Sequence, residues 1–217
     1  MTTTKTAPAP HTPVGPATPR RWMPAVLGGL IAVAIVAAFW APWQSGTTPV
    51  DIGNQYMEAR DAFDAEKASE LMSADATVLD VPRMDRNNLE AGFAVLRAYE
   101  ADFEPYTCTN EPGTALVTCN YSFDTNLSRI VGYGPVEGTI RLLVDNGMIT
   151  SLVHNFNFDE YAPNVFEKFA VWLGTEHPDE FGQVYQDQGG TLSPIPTPEA
   201  LAQLAGYIAE YDRFLNG

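Results

Sequence analysis

VEGTIRLLVDNGMITSLVHNFNF, residues 136–158, is the stretch that decides the fold. At its centre Asn146-Gly147 is the dipeptide a two-residue hairpin turn demands, because both turn positions need a positive φ. On either side apolar and polar residues alternate, the period of a strand with one buried face. Val136–Asp145 and Met148–Phe158 are therefore expected to pair antiparallel. Ile140, Leu142 and Val144 share one face with Leu152, His154, Phe156 and Phe158. Thr139, Arg141, Ser151, Asn155 and Asn157 share the other.

Working outward, Ala115–Asp124 continues the pattern, with Val117, Cys119, Tyr121 and Phe123 inside and Thr118, Asn120 and Ser122 outside. Tyr106–Thr109 reads as a fourth strand. A turn centred between Gly113 and Thr114 would set Cys108 opposite Cys119, the only two cysteines. A disulfide there needs Cα atoms about 5.5–6 Å apart, and closing so short a loop adds about 2–3 kcal/mol. The alternative is a pair of buried thiols. No Cys-x-x-Cys is present, so a redox-active pair is not indicated.

Before the strands, Asp51–Leu71 has helical spacing, with Ile52, Tyr56, Phe63 and Leu71 on one side, charged residues between them, and a break near Asp64. Thr77–Val81 is a short β-type run stopped by Pro82. Asn88–Phe103 is a second amphipathic helix built on Leu89, Phe93, Leu96 and Phe103. After the strands, Tyr161–Leu173 is an aromatic-rich helix, and His177-Pro178 reads as a helix start. Thr197-Pro198-Glu199 opens another helix, with a cap residue and then Pro at the first helical position. Helices, a short strand, a helix and a run of strands make an α+β pattern rather than alternating βαβ.

The N-terminal part is of another kind. No charged residue lies between Arg21 and Asp51, and Ala25–Ala41 is wholly apolar. A helix over residues 22–43 would be about 33 Å long, the thickness of a bilayer's hydrocarbon core. Trp22 stands at one end and Trp40 and Trp43 at the other, as in interfacial aromatic belts. Arg20 and Arg21 precede the span, so the positive-inside rule leaves residues 1–21 as a disordered cytoplasmic tail and puts the rest outside the cell membrane. Residues 44–50 form a linker, 51–173 the α+β domain and 174–217 a helical extension. A cleaved signal peptide with its site at Val36-Ala37-Ala38 is the competing reading. Arg20-Arg21 matches a twin-arginine signal poorly. No Cys lies near the span to carry a lipoprotein anchor.

Charge follows this division. Lys5, Arg20 and Arg21 are the only charged residues before Asp51, so the remainder sets nine basic against all 27 acidic residues, a formal −18. Such a surface repels phosphate backbones, and no nucleic acid is expected as partner.

The segment Cys119-Asn-Tyr121, Asn126-Leu-Ser128, Gly132, Gly138 and Asp145-Asn-Gly147-Met-Ile149, in this order of elements, resembles the nuclear transport factor 2-like (SnoaL-like) superfamily, over roughly residues 51–173. It is similar to that group's secreted or membrane-anchored bacterial members. The resemblance implies a curved antiparallel sheet wrapped around helices as a cone with an internal pocket. It leaves activity open, because the group holds isomerases, cyclases, epoxide hydrolases and non-catalytic modules.

The candidate pocket residues are Asp80, Tyr121 and His154. A histidine and a tyrosine facing one cavity can move a proton and polarise a carbonyl, or they can be a satisfied core pair. An Asp at a strand end can be a base, or it can cap a turn. The Asp-Arg-Asp set of the epoxide hydrolases and the Tyr and two Asp of the steroid isomerases do not map onto this chain. His11, His154 and His177 lack metal-ligand spacing, and no cofactor is expected. The reading that results is a membrane-anchored module, held through residues 22–43, that binds a small apolar ligand or an envelope protein, with a homodimer through the sheet face as one arrangement. The alternative is an isomerase or cyclase acting on a hydrophobic substrate.

Overall fold

Asn146 and Gly147 adopt φ 50° and 77°, and the strands they join are β4 (Val136–Asp145) and β5 (Met148–Phe156). The computed structural model describes residues 47–79, 86–187 and 192–217. The tail, the candidate span 22–43 and Asp80 lie outside the described residues. Among the described residues no helix is long and apolar enough to cross a membrane.

Thr48 and Asp51 form a capping box, each bonding the other's backbone N–H, and α1 (Pro49–Asp61) follows. Phe63, at φ 52°, ends that run. Asp64 then accepts from the Lys67 N–H and starts α2 (Ala65–Glu70), so the break stands where the sequence signals it. Next come β1 (Met72–Leu79) and α3 (Leu89–Ala98). α3 is shorter than the Asn88–Phe103 pattern suggests. Glu100 takes φ 47° and turns the chain, and Asp102 then bridges to Asp124, which leaves Phe103 beyond the helix.

The sheet runs β1-β5-β4-β3-β2, where β2 is Tyr106–Asn110 and β3 is Leu116–Phe123. β2, β3, β4 and β5 pair antiparallel in succession, but β1 lies parallel to β5, with Thr77 beside Ser151 and Leu79 beside Val153. The expectation of an all-antiparallel sheet is corrected by this pairing. Hairpin turns dictate direction only for the strands they join, and β1 reaches β2 through α3. The strand also begins at Met72, five residues before the β-type run.

Between β3 and β4 a five-residue α4 (Asn126–Ile130) caps on Thr125. Beyond β5 the aromatic-rich stretch is two helices, α5 (Phe158–Asn164) and α6 (Phe166–Glu176). Phe158, expected as the last residue of the strand, instead opens α5. His177 does not start a helix but closes α6. A short α7 (Phe181–Val184) and a small hairpin, β6 (Tyr185–Asp187) with β7 (Leu192–Pro194), precede α8 (Pro198–Asn216). The Thr197 side chain accepts from the Ala200 N–H at 3.3 Å, and Pro198 sits at the first helical position, as the sequence predicts.

Alternation holds along the strands. Val117, Cys119, Tyr121, Ile140, Leu142 and Leu152 are buried, while Asn120, Arg141 and Asn155 are exposed. Cys108 and Cys119 are directly opposed and bonded, with Cα atoms 4.0 Å apart. That is closer than the sequence-based estimate, in keeping with the tight approach of directly opposed antiparallel pairs. α1 crosses this bridge at Gly53, where an added Cβ would sit 2.7 Å from Val117 and 3.3 Å from the Cys119 sulfur.

Candidate functional site

Alternation puts Tyr121 of β3 and His154 of β5 on the covered face, and the fold brings them together. The Tyr121 hydroxyl is hydrogen-bonded to His154 Nε2, and both side chains are buried. Their rings lie 5.5 Å apart, and Phe103 and Phe156 flank them at 5.6 and 6.1 Å. Asp80, the third candidate, lies outside the described residues.

A cation shares this space. Arg60 of α1 is 1% exposed, although its charge suggests an outward position. It follows Tyr56 by four residues, so one turn of helix carries it onto the inner stripe. The signal was available in the spacing Ile52, Tyr56, Arg60; the charge argued against reading it so. Its guanidinium donates to the Tyr56 hydroxyl at 3.3 Å and lies 4.7 Å from the centre of the Phe103 ring. A guanidinium over an aromatic face is attracted by the ring quadrupole, more strongly where water is excluded.

The space left between these groups is small. A cavity of about 40 Å³ is bounded by Arg60, Tyr121 and His154 and by Leu96, Phe103, Phe123, Phe156, Phe158 and Phe166. About 10–15 Å³ is enough for one water molecule, whereas pockets for drug-sized ligands run to about 300–1,000 Å³. The aromatic side chains fill the remainder, Phe123 against Phe156 at 5.0 Å and against Phe103 at 5.2 Å. An open groove of about 750 Å³ lies elsewhere, between the α1–α2 break and α3. Its walls mix Asp64, Glu66 and Glu90 with Arg86 and Arg97, and Arg97 is engaged with the Phe63 carbonyl at 3.1 Å. Tyr121 and His154 face the smaller space.

Other buried phenols serve the packing. Tyr99 and Tyr185 bond hydroxyl to hydroxyl at 2.7 Å, tying the end of α3 to β6. Tyr161 bonds the Thr125 hydroxyl at 2.8 Å. Burial pushes all three phenols up from their ordinary value. Among the described residues no three His, Cys, Asp or Glu side chains are grouped to hold a metal ion.

No protein-family model matches the chain, and no curated protein matches it. Several solved structures resemble it. One, from Pseudomonas putida, is described as a candidate polyketide cyclase, with 14% identity, 55% of this chain and 99% of that one covered, and a TM-score of 0.45. An NTF2-like protein of unknown function from Cytophaga hutchinsonii is 15% identical over 54% of this chain and 97% of its own, with a TM-score of 0.41. An uncharacterized cystatin-fold protein from Novosphingobium aromaticivorans is 10% identical over 51% and 100%, also at 0.41. Folds of this kind are shared across many activities, so the side chains have to decide what the site does.

Proposed function

We propose that the chain is a non-catalytic module, tethered through residues 22–43, whose folded domain binds an envelope protein on the outer side of the membrane. One observation carries the reading: among the described residues the interior is occupied by the protein's own aromatic rings, with about 40 Å³ to spare. An apolar ligand of ordinary size has no room there. The Cys108–Cys119 bond supports an oxidising compartment. The surface for the partner is the outward sheet face, which carries Asn120, Thr139, Arg141 and Asn155 together with the half-exposed Leu143. A second copy of the chain on that face is one form of the same contact.

Native mass spectrometry of the detergent-solubilised full chain tests this. The expected spectrum holds the protein alone, as a dimer or with a protein partner. A stoichiometric small molecule carried through purification sinks the proposal.

A second reading is favoured by the Tyr121–His154 hydrogen bond and the Arg60 cation beside it. In it the chain is an isomerase or cyclase, His154 is the base with Asp80 as the other candidate, and Tyr121 is the donor. His154→Gln separates the two. An interaction module keeps its partner, whereas an enzyme that uses this base loses turnover by a factor of about 10²–10⁴.

A further inference from the structure

β4 is the middle strand of the sheet, and its alternation is unbroken from end to end. Gly138, Ile140, Leu142 and Val144 are buried, so Glu137, Thr139, Arg141, Leu143 and Asp145 form the outward row. The outward positions on either side, from Leu116 to Ser122 on β3 and from Ser151 to Asn155 on β5, carry no charge. The domain as a whole has a formal charge of −18. Large apolar side chains are left exposed in the same field, Leu143 at its centre, Met148 beside Asp145 and Leu79 on the edge strand β1. Few charges around exposed apolar groups is the composition of an interface core.

The charges that remain on β4 are arranged about Leu143. Arg141 stands two places before it and Asp145 two places after. At about 3.4 Å per residue these two are about 13 Å apart, too far to pair within one chain. Among the described residues neither enters an ion pair. A second sheet laid face to face, related by a two-fold axis that crosses β4 at Leu143, would run the two β4 strands antiparallel. Leu143 then meets the partner's Leu143, Arg141 meets the partner's Asp145, and Asp145 meets the partner's Arg141. Packed sheets lie about 10 Å apart, a gap that an arginine and an aspartate close from opposite sides. An axis along β4 would instead stack Arg141 on its own copy. An axis at Thr139 would pair Glu137 with Arg141, but it would centre the contact on the row Asn120, Thr139 and Asn155. There the Thr139 hydroxyl already donates to the Asn120 side-chain oxygen at 3.1 Å, and Leu143 would be left towards the rim.

We propose that the partner on the sheet face is a second copy of the chain, bound about a two-fold axis at Leu143 with an Arg141–Asp145 pair on each side of it. The proposal rests on the sheet face being the docking surface and names its occupant. Such a contact is isologous, so every favourable pair occurs twice. Strands about 4.8 Å apart and residues about 3.3 Å apart give the five-stranded face roughly 600 Å². Two such faces reach the low end of the roughly 1,200–2,000 Å² that specific, stable interfaces bury.

Native mass spectrometry and sedimentation of the full chain in detergent test this. The unaltered chain should be a dimer. Arg141→Asp sets carboxylates against each other at two places and should weaken the dimer by about tenfold or more. Asp145→Arg should do the same with two pairs of guanidinium groups. The two exchanges combined restore opposite charges in each pair, and the dimer should return to near its original strength. Arg141→Asp combined with Glu137→Arg should stay weak. These side chains are exposed, so the far-ultraviolet circular dichroism should not change. A monomeric unaltered chain, a dimer indifferent to Arg141→Asp, or rescue by Glu137→Arg in place of Asp145→Arg overturns the inference. A monomer that still holds another protein overturns it and leaves the docking reading standing. A dimer that carries a stoichiometric small molecule supports it and sinks that reading.

Discussion

Cys119 and Tyr121 are two residues apart on the same face of β3, and the two positions are built on opposite plans. At Cys119 the sheet is closed by a covalent bond to Cys108, and α1 packs directly onto it at Gly53. At Tyr121 the side chain reaches over a glycine to a histidine, beside a buried arginine and a residual cavity. The first end is held by chain topology and close packing. The second is held by directional bonds among polar groups that would be costly to bury singly. One strand therefore carries a rigid, dry anchor and, one pleat further on, a polar cluster whose geometry depends on every neighbour.

The largest effect should come from breaking the polar end at its shared wall. Phe103 is fully buried and touches both halves of the cluster, its ring under the Arg60 guanidinium and 5.6 Å from Tyr121. Phe103→Ala should cost about 3–5 kcal/mol, from lost burial and the cavity it leaves. Urea unfolding measures this. A loss under about 1 kcal/mol would mean that the cluster stands without its aromatic wall.

Breaking the other end should cost less. Cys108→Ala with Cys119→Ala removes a cross-link between residues 11 apart, worth about 2–3 kcal/mol in unfolded-chain entropy. The sharper outcome is local. The ring-proton NMR signals of His154 should be unchanged, because Gly138, not the disulfide, lets Tyr121 cross β4. A shift of those signals in the disulfide-free protein would show that the two ends of β3 act as one unit.

Sequence reasoning read these two ends unequally. The disulfide needed only a turn centre and period 2, and both are local. Tyr121 and His154 were legible by the same alternation. Their contact was not, since it depends on the register of three strands. Gly138 carried no visible role until β4 was aligned between its neighbours. Arg60 was hidden by its charge, although its spacing from Tyr56 pointed inward. The parallel pairing of β1 had no local signal, because no hairpin joins it to β5. Three-residue strands such as Tyr185–Asp187 and Leu192–Pro194 are too short to show a period. The positive φ of Glu100, which ends α3 early, is imposed by its surroundings and not by residue type.

A smaller effect, graded with pH, concerns the buried phenols away from both ends of β3, which bond to other hydroxyls. Burial, above all, raises Tyr99, Tyr185 and Tyr161, with the mutual Tyr99–Tyr185 contact adding to the rise at Tyr99. An unfolded tyrosine titrates near about 10. Below that pH both states hold the phenol proton, and these groups give no pH dependence. Above it the unfolded chain releases protons that the folded chain retains, so stability falls as pH rises, by about 1.4 kcal/mol per unit for each fully protected tyrosine. Urea midpoints measured from pH 8 to 11 should be level at first and then decline. Tyr185→Phe should lower stability at pH 8 by about 1 kcal/mol, since it strands the Tyr99 hydroxyl. It should also make the alkaline decline shallower, because one protected phenol is gone. An equally steep decline would mean that the Tyr99–Tyr185 bond opens to solvent before the domain unfolds.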